Sequence, residues 1–259
     1  MNQTATSAAM TPRRILWPAT PIHAPKPSTM IEESLPFTVR LVRDEEDLNK
    51  AVQIRHSAYA RHMPTVAESL RYPERADTED GVVVLLAESK LDGTPLGTAR
   101  IQTNQFRALA LEESVEFPDW LRGRTLAHIS RLGIVQGNGG RLVKFMLFKG
   151  LFKYWEQNDI EWAVVAARVP LDRMYEQLLF QDVFPSRGFI PLPHMNHVPH
   201  RVMAFEVGTA FERWTQAKHP LTNFICHTDH PDLDISCIDR DAYSPAYTKA
   251  PTMGLHIPT

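Results

Sequence analysis

Cysteine is almost absent from this sequence: Cys226 and Cys237 are the two in 259 residues. No disulfide framework is implied. An excess of positive charge is missing too. Lys and Arg number 28 against 30 Asp and Glu, a formal net charge of -2, so nothing points to a nucleic-acid surface. No apolar run approaches the roughly 20 residues that span a bilayer. Met1 to Ala9 is polar and lacks the apolar stretch of a secretory signal, and Arg13-Arg14 leads into sequence too rich in proline for one. The expected address is cytoplasmic, with no membrane span and no nucleic-acid partner. No internal repeat is visible. What is present is ordinary globular composition, 43% hydrophobic and 22% charged, at a length that suits one domain with tails. Such a chain buries a core without staples.

Proline marks the ends. Pro12, Pro18, Pro21, Pro25 and Pro27 fall within residues 1–35, which read as a disordered or docking arm whose apolar residues are Ile15, Leu16 and Trp17. Pro245, Pro251 and Pro258 fall in residues 240–259, which show no periodic pattern, and residues 221–259 as a whole are expected to form an irregular extension. The domain proper is expected over residues 36–220.

Inside it, Thr38–Arg43 reads as a short strand. Asp44 is placed to cap a helix, and Leu48, Ala51, Val52, Arg55, Ala58 and Tyr59 follow at helical spacing. Val82–Glu88 and Pro95–Thr103 read as a hairpin about Asp92-Gly93. Residues 104–123 show no clear pattern. Leu126–Val135 reads as a strand, Leu142–Gln157 as an apolar helix, Ile160–Arg168 as a strand, and Leu171–Phe180 as a helix entered at Pro170. Arg201–Val207 reads as the last strand and Thr209–Lys218 as a short helix. This order, with antiparallel pairs early and a βαβ crossover later, predicts an α/β fold with a mixed, twisted sheet flanked by helices.

Between a strand and a helix lies Gln136-Gly137-Asn138-Gly139-Gly140-Arg141. Glycine lets the backbone turn sharply and approach an anion, and a helix start adds its positive dipole end. Such a loop holds a phosphodiester or pyrophosphate, with Arg141 adding a charge-assisted contact; a plain glycine-rich connection is the alternative.

That segment stands with Ile54-Arg55-His56-Ser57-Ala58-Tyr59, Asp77-Thr78-Glu79-Asp80, Gly97-Thr98-Ala99-Arg100 and Ser130-Arg131. In this order and spacing they resemble the GNAT superfamily, over about residues 38–207. Within it they resemble the N-acyl amino acid synthases (the FeeM-like group) and the related acyl-homoserine-lactone synthases. The resemblance implies a GNAT-like sheet and a fatty acyl donor carried as a thioester on acyl carrier protein or CoA, a co-substrate rather than a resident cofactor. It implies an amino-acid acceptor and direct transfer with no covalent acyl-enzyme. The donor's pantetheine would lie between the strands at 126–135 and 160–168. Ile134, Val135, Gly137, Asn138, Gly139, Gly140 and Arg141 would face the donor. There is one departure: the lactone synthases carry a glutamate two residues before the Ser-Arg pair, and here that position is His128.

Histidine titrates near neutrality and can take the proton that an acceptor ammonium must lose, directly or through water. The alternative for His128 is a buried ring bonded to a carbonyl. Strand alternation puts His128 and Ser130 on one face and Arg131 on the other, unless a bulge intervenes. The resemblance also offers Tyr175 for the catalytic set, since many GNAT enzymes protonate the leaving thiolate from a tyrosine there; a core aromatic with a bonded hydroxyl is the alternative. Arg100 and Arg131 sit in apolar-flanked strands. Each either binds the acceptor carboxylate with its planar fork or pairs with Glu88, Asp77 or Asp80. Arg55 reads more as structure, and stands with Tyr59 and Arg100 as a substrate-binding candidate.

The helix from Leu142 is apolar nearly all round, so it is expected to be buried, with part of its surface available to an acyl tunnel. Lys144, Lys149 and Lys153 either meet an acidic carrier protein or form a solvated edge. His194, His197 and His200, and later Cys226, His227, His230 and Cys237, match no common zinc spacing, so no metal is expected. The loop 194–200 is expected to rim the acceptor pocket. The function expected is N-acyl transfer from a carrier thioester to an amino acid. The alternatives are a lactone synthase or other GNAT N-acyltransferase and, from another class, a non-catalytic module that binds acyl carriers.

Overall fold

Strand-forming and helix-forming segments alternate from residue 31 onward, and their apolar faces converge on one sheet. The computed structural model describes residues 30–236 apart from Asn138. The expected docking of residues 15–17, the prolines of both ends, and Cys237 lie outside the described residues.

The chain runs β1 (Ile31–Glu32), β2 (Phe37–Leu41), α1 (Glu45–Ala60), α2 (Pro64–Ser69), a 3-10 turn at Arg75–Thr78, β3 (Val82–Ser89), β4 (Pro95–Thr103) and α3 (Ala110–Ser114). It continues through β5 (Leu126–Ile134), α4 (Gly139–Gln157), β6 (Trp162–Ala167), α5 (Leu171–Gln177), β7 (Gln181–Asp182), β8 (Ile190–Pro191), a 3-10 turn at Pro193–Met195 and β9 (Pro199–Glu206). α6 (Ala210–Gln216), a π turn at Asn223–His227, β10 (Thr228–Asp229) and β11 (Leu233–Asp234) follow. The main sheet has the order β11-β2-β3-β4-β5-β6-β9-β7, with β8 on β9. Pairing is antiparallel from β2 to β5, parallel between β5 and β6, and antiparallel again between β6 and β9. The mixed sheet flanked by helices is therefore present as expected.

Alternation along each strand builds apolar clusters on both faces of the sheet. Ala127, Ile129, Val165, Met203 and Phe205 pack with α4 on one face. Leu126, Val164, Val202 and Ala204 pack with Leu109, Leu121 and Leu192 on the other. Asp44 caps α1 by accepting from the Asp47 N–H at 2.8 Å.

Four expectations change. α4 starts at Gly139 rather than Leu142, so the end of the glycine-rich loop is helical. Residues 104–123 hold α3, a helix of five residues, too short for its period to show. The described part of segment 221–259 is not irregular: β10 pairs β1, β11 extends the main sheet beside β2, and Ile225 and Ile235 are buried in the core. Lys149 explains how this segment is held. Its ammonium group is buried and bonds the carbonyls of Phe224 (2.8 Å) and Thr228 and the Nδ1 of His230 (2.7 Å). Burial first, then Lys153, pushes its pKa down to about 8. Lys149 is therefore a clasp and not a carrier-docking residue.

Candidate active site

The site lies where two regular ladders fail next to each other. β5 and β6 pair only from Leu126↔Trp162 to Ile129↔Val165, although β5 continues to Ile134. On the other side, Thr98 faces Gly133 and Arg100 faces Ser130, so β5 carries one extra residue opposite Ala99. Arg131 takes up that residue with φ 55°, in the left-handed region. The bulge places Arg131 beside the Ser130 side chain rather than across the sheet from it. Both join one polar cluster.

Its carboxylates come from the 3-10 turn after α2, where residues three apart eclipse. Glu74 stands at its head, and Asp77 accepts from the Glu74 N–H at 2.8 Å. Asp77 receives both Arg55 Nη atoms at 2.9 Å and Arg100 Nη1 at 3.2 Å. Glu74 receives Arg131 through Nε and Nη2, each at 2.6 Å, and Arg100 Nη1 at 3.1 Å. Arg100 Nε reaches Ser130 Oγ at 3.2 Å. Burial alone would raise both carboxyls; the hydrogen bonds and charge of the arginines outweigh it and hold them low. Three guanidinium groups face two carboxylates, so the cluster keeps one positive charge.

The arrangement sorts the sequence candidates. Arg55 has no exposed side-chain surface and is bound to Asp77, so it is a structural residue and not a substrate ligand. Arg100 is buried and Arg131 is half-buried, and Arg131 spends one edge of its fork on Glu74. Glu88, offered as a partner, pairs with Arg40 and Lys50 instead. Glu74 was missed; the signal was a second carboxylate three residues ahead of Asp77.

His128 shares the face of Ser130 and is buried, with Nε2 unpartnered among the described residues. Burial first, then His194, Arg100, Arg131 and His200, pushes its pKa down to about 3. The expectation of a histidine titrating near neutrality here is not met: water is excluded and the nearby charge is already positive. His200 lies on the same face of the sheet, with Nδ1 2.7 Å from the Val198 carbonyl. His194 belongs to the turn above, with Nδ1 2.5 Å from Ser114 Oγ. His194 and His200 are thus close enough to His128 for their charge to bear on it. Among the described residues, no His, Cys, Asp or Glu group is placed to hold a metal ion. Tyr175 is buried against Phe148 and Phe180, and burial, then Tyr59, raises its pKa, so the phenol stays protonated. Tyr59 also lies within reach of Arg131.

The glycine-rich loop opens beside the splay. Ile134's carbonyl accepts from Arg61 (2.7 Å) and Val135's N–H donates to Leu96 (2.8 Å), so those two groups are taken. Gly140 packs rather than faces a ligand: a Cβ there would lie 2.4 Å from the Val135 carbonyl oxygen. Gly137, at φ 101°, and Gly139 are exposed, with open space where a Cβ would stand. Arg141 lies 5.6 Å over the Phe145 ring. Asn138 lies outside the described residues.

Solved structures that share this architecture include two synthases. One is FeeM, an N-acyl amino acid synthase from uncultured soil microbes, 15% identical with a TM-score of 0.53, the match covering 70% of this chain and 96% of that one. The other is BjaI, a CoA-dependent acyl-homoserine lactone synthase solved with SAM and isopentyl-CoA, 15% identical with a TM-score of 0.52, covering 80% and 96%. No family model matches the chain, and comparison with curated proteins finds no match. At this identity the likeness is one of fold: the chain has the fold of these two synthases over nearly their whole length, as the sequence resemblance implied.

Proposed function

We propose that this protein is an N-acyltransferase that moves a fatty acyl group from a thioester, on acyl carrier protein or CoA, to the α-amine of an amino acid. The observation that carries this reading is the surplus positive charge at the bulge, set beside the splay of β5 and β6. An amino acid brings a carboxylate to such a site, and a thioester needs an elongated slot. Arg100 and the edge of Arg131 turned away from Glu74, with Tyr59 beside it, attract the carboxylate. The donor's pantetheine enters the splay, and its phosphate meets the exposed backbone at residues 136–139 and the start of α4.

Arg131 and Leu132 have no ladder partner on either side. Their backbone N–H groups are candidates to stabilise the oxyanion as the amine attacks. Tyr175, protonated and buried, supplies a hydrogen bond to the departing sulfur. His128 accepts a hydrogen bond from the acceptor through its unpartnered Nε2. Holding both substrates in line supplies much of the rate. The setting proposed is the cytoplasm, with acyl carrier protein as partner. The test is mass spectrometry of lipid extracts from cells expressing the chain or its Arg131→Ala variant. New N-acyl amino acids that disappear in the variant are expected. A soluble, folded wild-type protein that yields no new lipid would sink the reading.

A further inference from the structure

We propose that His194, not His128, is the base that takes the proton from the acceptor's ammonium group, and that Ser114 sets its tautomer. This rests on the acyl-transfer reading above. Ser114 Oγ donates to the Ala110 carbonyl at 2.7 Å. A hydroxyl has one hydrogen, so toward His194 Nδ1, 2.5 Å away, Ser114 offers a lone pair. Nδ1 must then carry the ring hydrogen, and Nε2 on the opposite edge holds the basic lone pair. Both partners sit on anchored pieces. α3 is fixed by the Glu112 side chain on the Leu109 N–H (2.8 Å) and by buried Leu111. The turn carrying His194 hangs from buried Leu192, whose carbonyl accepts from both Met195 and His197 at 3.0 Å.

The other histidines are less suited. His128 is sealed from water, so a proton taken there has nowhere to go. His200 spends Nδ1 on Val198 and is buried. His194 reaches the surface with its ring partly shielded, so its proton passes to solvent. Partial burial lowers its pKa first, and the charges it feels are those of the site: His200 from β9 and Arg131 from β5 lower it further, Glu113 from α3 raises it, and its own charge bears on His128 from β5. The step balances. Of the three ammonium hydrogens, one leaves through His194 Nε2 to water, one passes to the thiolate as the C–S bond breaks, and one stays on the new amide as the C–N bond forms.

Kinetics and ring NMR test this separately. His194→Gln is expected to lower kcat on the order of a hundredfold, with the acyl-donor KM unchanged. The rise of kcat/KM with pH below neutrality should vanish with it. Ser114→Ala should cost less, about tenfold, and shift that rise. A wild-type pH profile in His194→Gln would overturn the proposal. So would nitrogen NMR of the full chain showing the hydrogen of the neutral His194 ring on Nε2. A wild-type protein that forms no N-acyl amino acid overturns the functional reading instead, and the tautomer still decides whether His194 is poised as a base.

Discussion

Arg55 and Asp77 expose no side-chain surface, and each is the other's main partner. Removing one half of such a pair leaves the other charge buried and uncompensated, which costs roughly 3–5 kcal/mol. Asp77→Asn is expected to lower stability by that order in urea unfolding. The pH dependence gives a second readout. The folded-state pKa of Asp77 lies below its ordinary 3.8, so its stabilisation is present above that value and is lost as pH falls through the lower one. The variant should show a flatter fall of stability with acid; an unchanged acid limb would rule out Asp77 as the anchor. At this scale the sequence told only part of the story. Residue types in Arg100, Arg131 and Asp77 already pointed to a charged cluster. The face of Arg131 did not, because one extra residue in β5 inverts strand alternation. Nor did the behaviour of His128, because burial and neighbouring charge belong to the folded chain and not to the residue.

Elements were legible in proportion to their length. β3, β4 and α4 show their periods over eight or more residues; the bounds of β3 and β4 were readable nearly to the residue, and α4 was readable except for its first turn. β1, β7, β8, β10 and β11 have two residues each, and two residues carry no period. Their existence depends on partners far along the chain. The strand–loop–helix unit was readable in outline, but not which glycine does what. Gly140 is the tight one: a methyl group there meets the Val135 backbone, which cannot rotate away as a side chain would. Gly140→Ala should push the start of α4 off β5, at about 1–3 kcal/mol. The expected result is a lower Tm together with a raised KM for the acyl donor and an unchanged KM for the acceptor. A raised acceptor KM alone would assign the loop to the wrong substrate.

For the whole molecule, the fold class was evident from the order of elements, whereas the end of the domain was not. The last periodic segment, Thr209–Lys218, drew the boundary to residue 220, yet the chain returns to cover α4 and the β2 edge. Gly150 shows how closely: a Cβ there would lie 3.3 Å from Leu233 and 3.4 Å from Leu85. Ile225 and Ile235 are each worth roughly 1.5–3 kcal/mol of burial. Without the segment, Lys149 would also lose all three acceptors in an apolar setting, a further cost of a few kcal/mol. The total approaches the roughly 5–15 kcal/mol that holds a typical domain together. A chain ending at Leu221 minus one residue, at Pro220, is therefore expected to unfold more than about 10 °C below a chain ending at Ser236, or to lose cooperative unfolding. Differential scanning calorimetry of the two chains decides it. Equal transitions would mean that β10, β11 and the Lys149 clasp decorate a domain already complete at 220; a large gap would make them part of the frame on which the site at β5 is built.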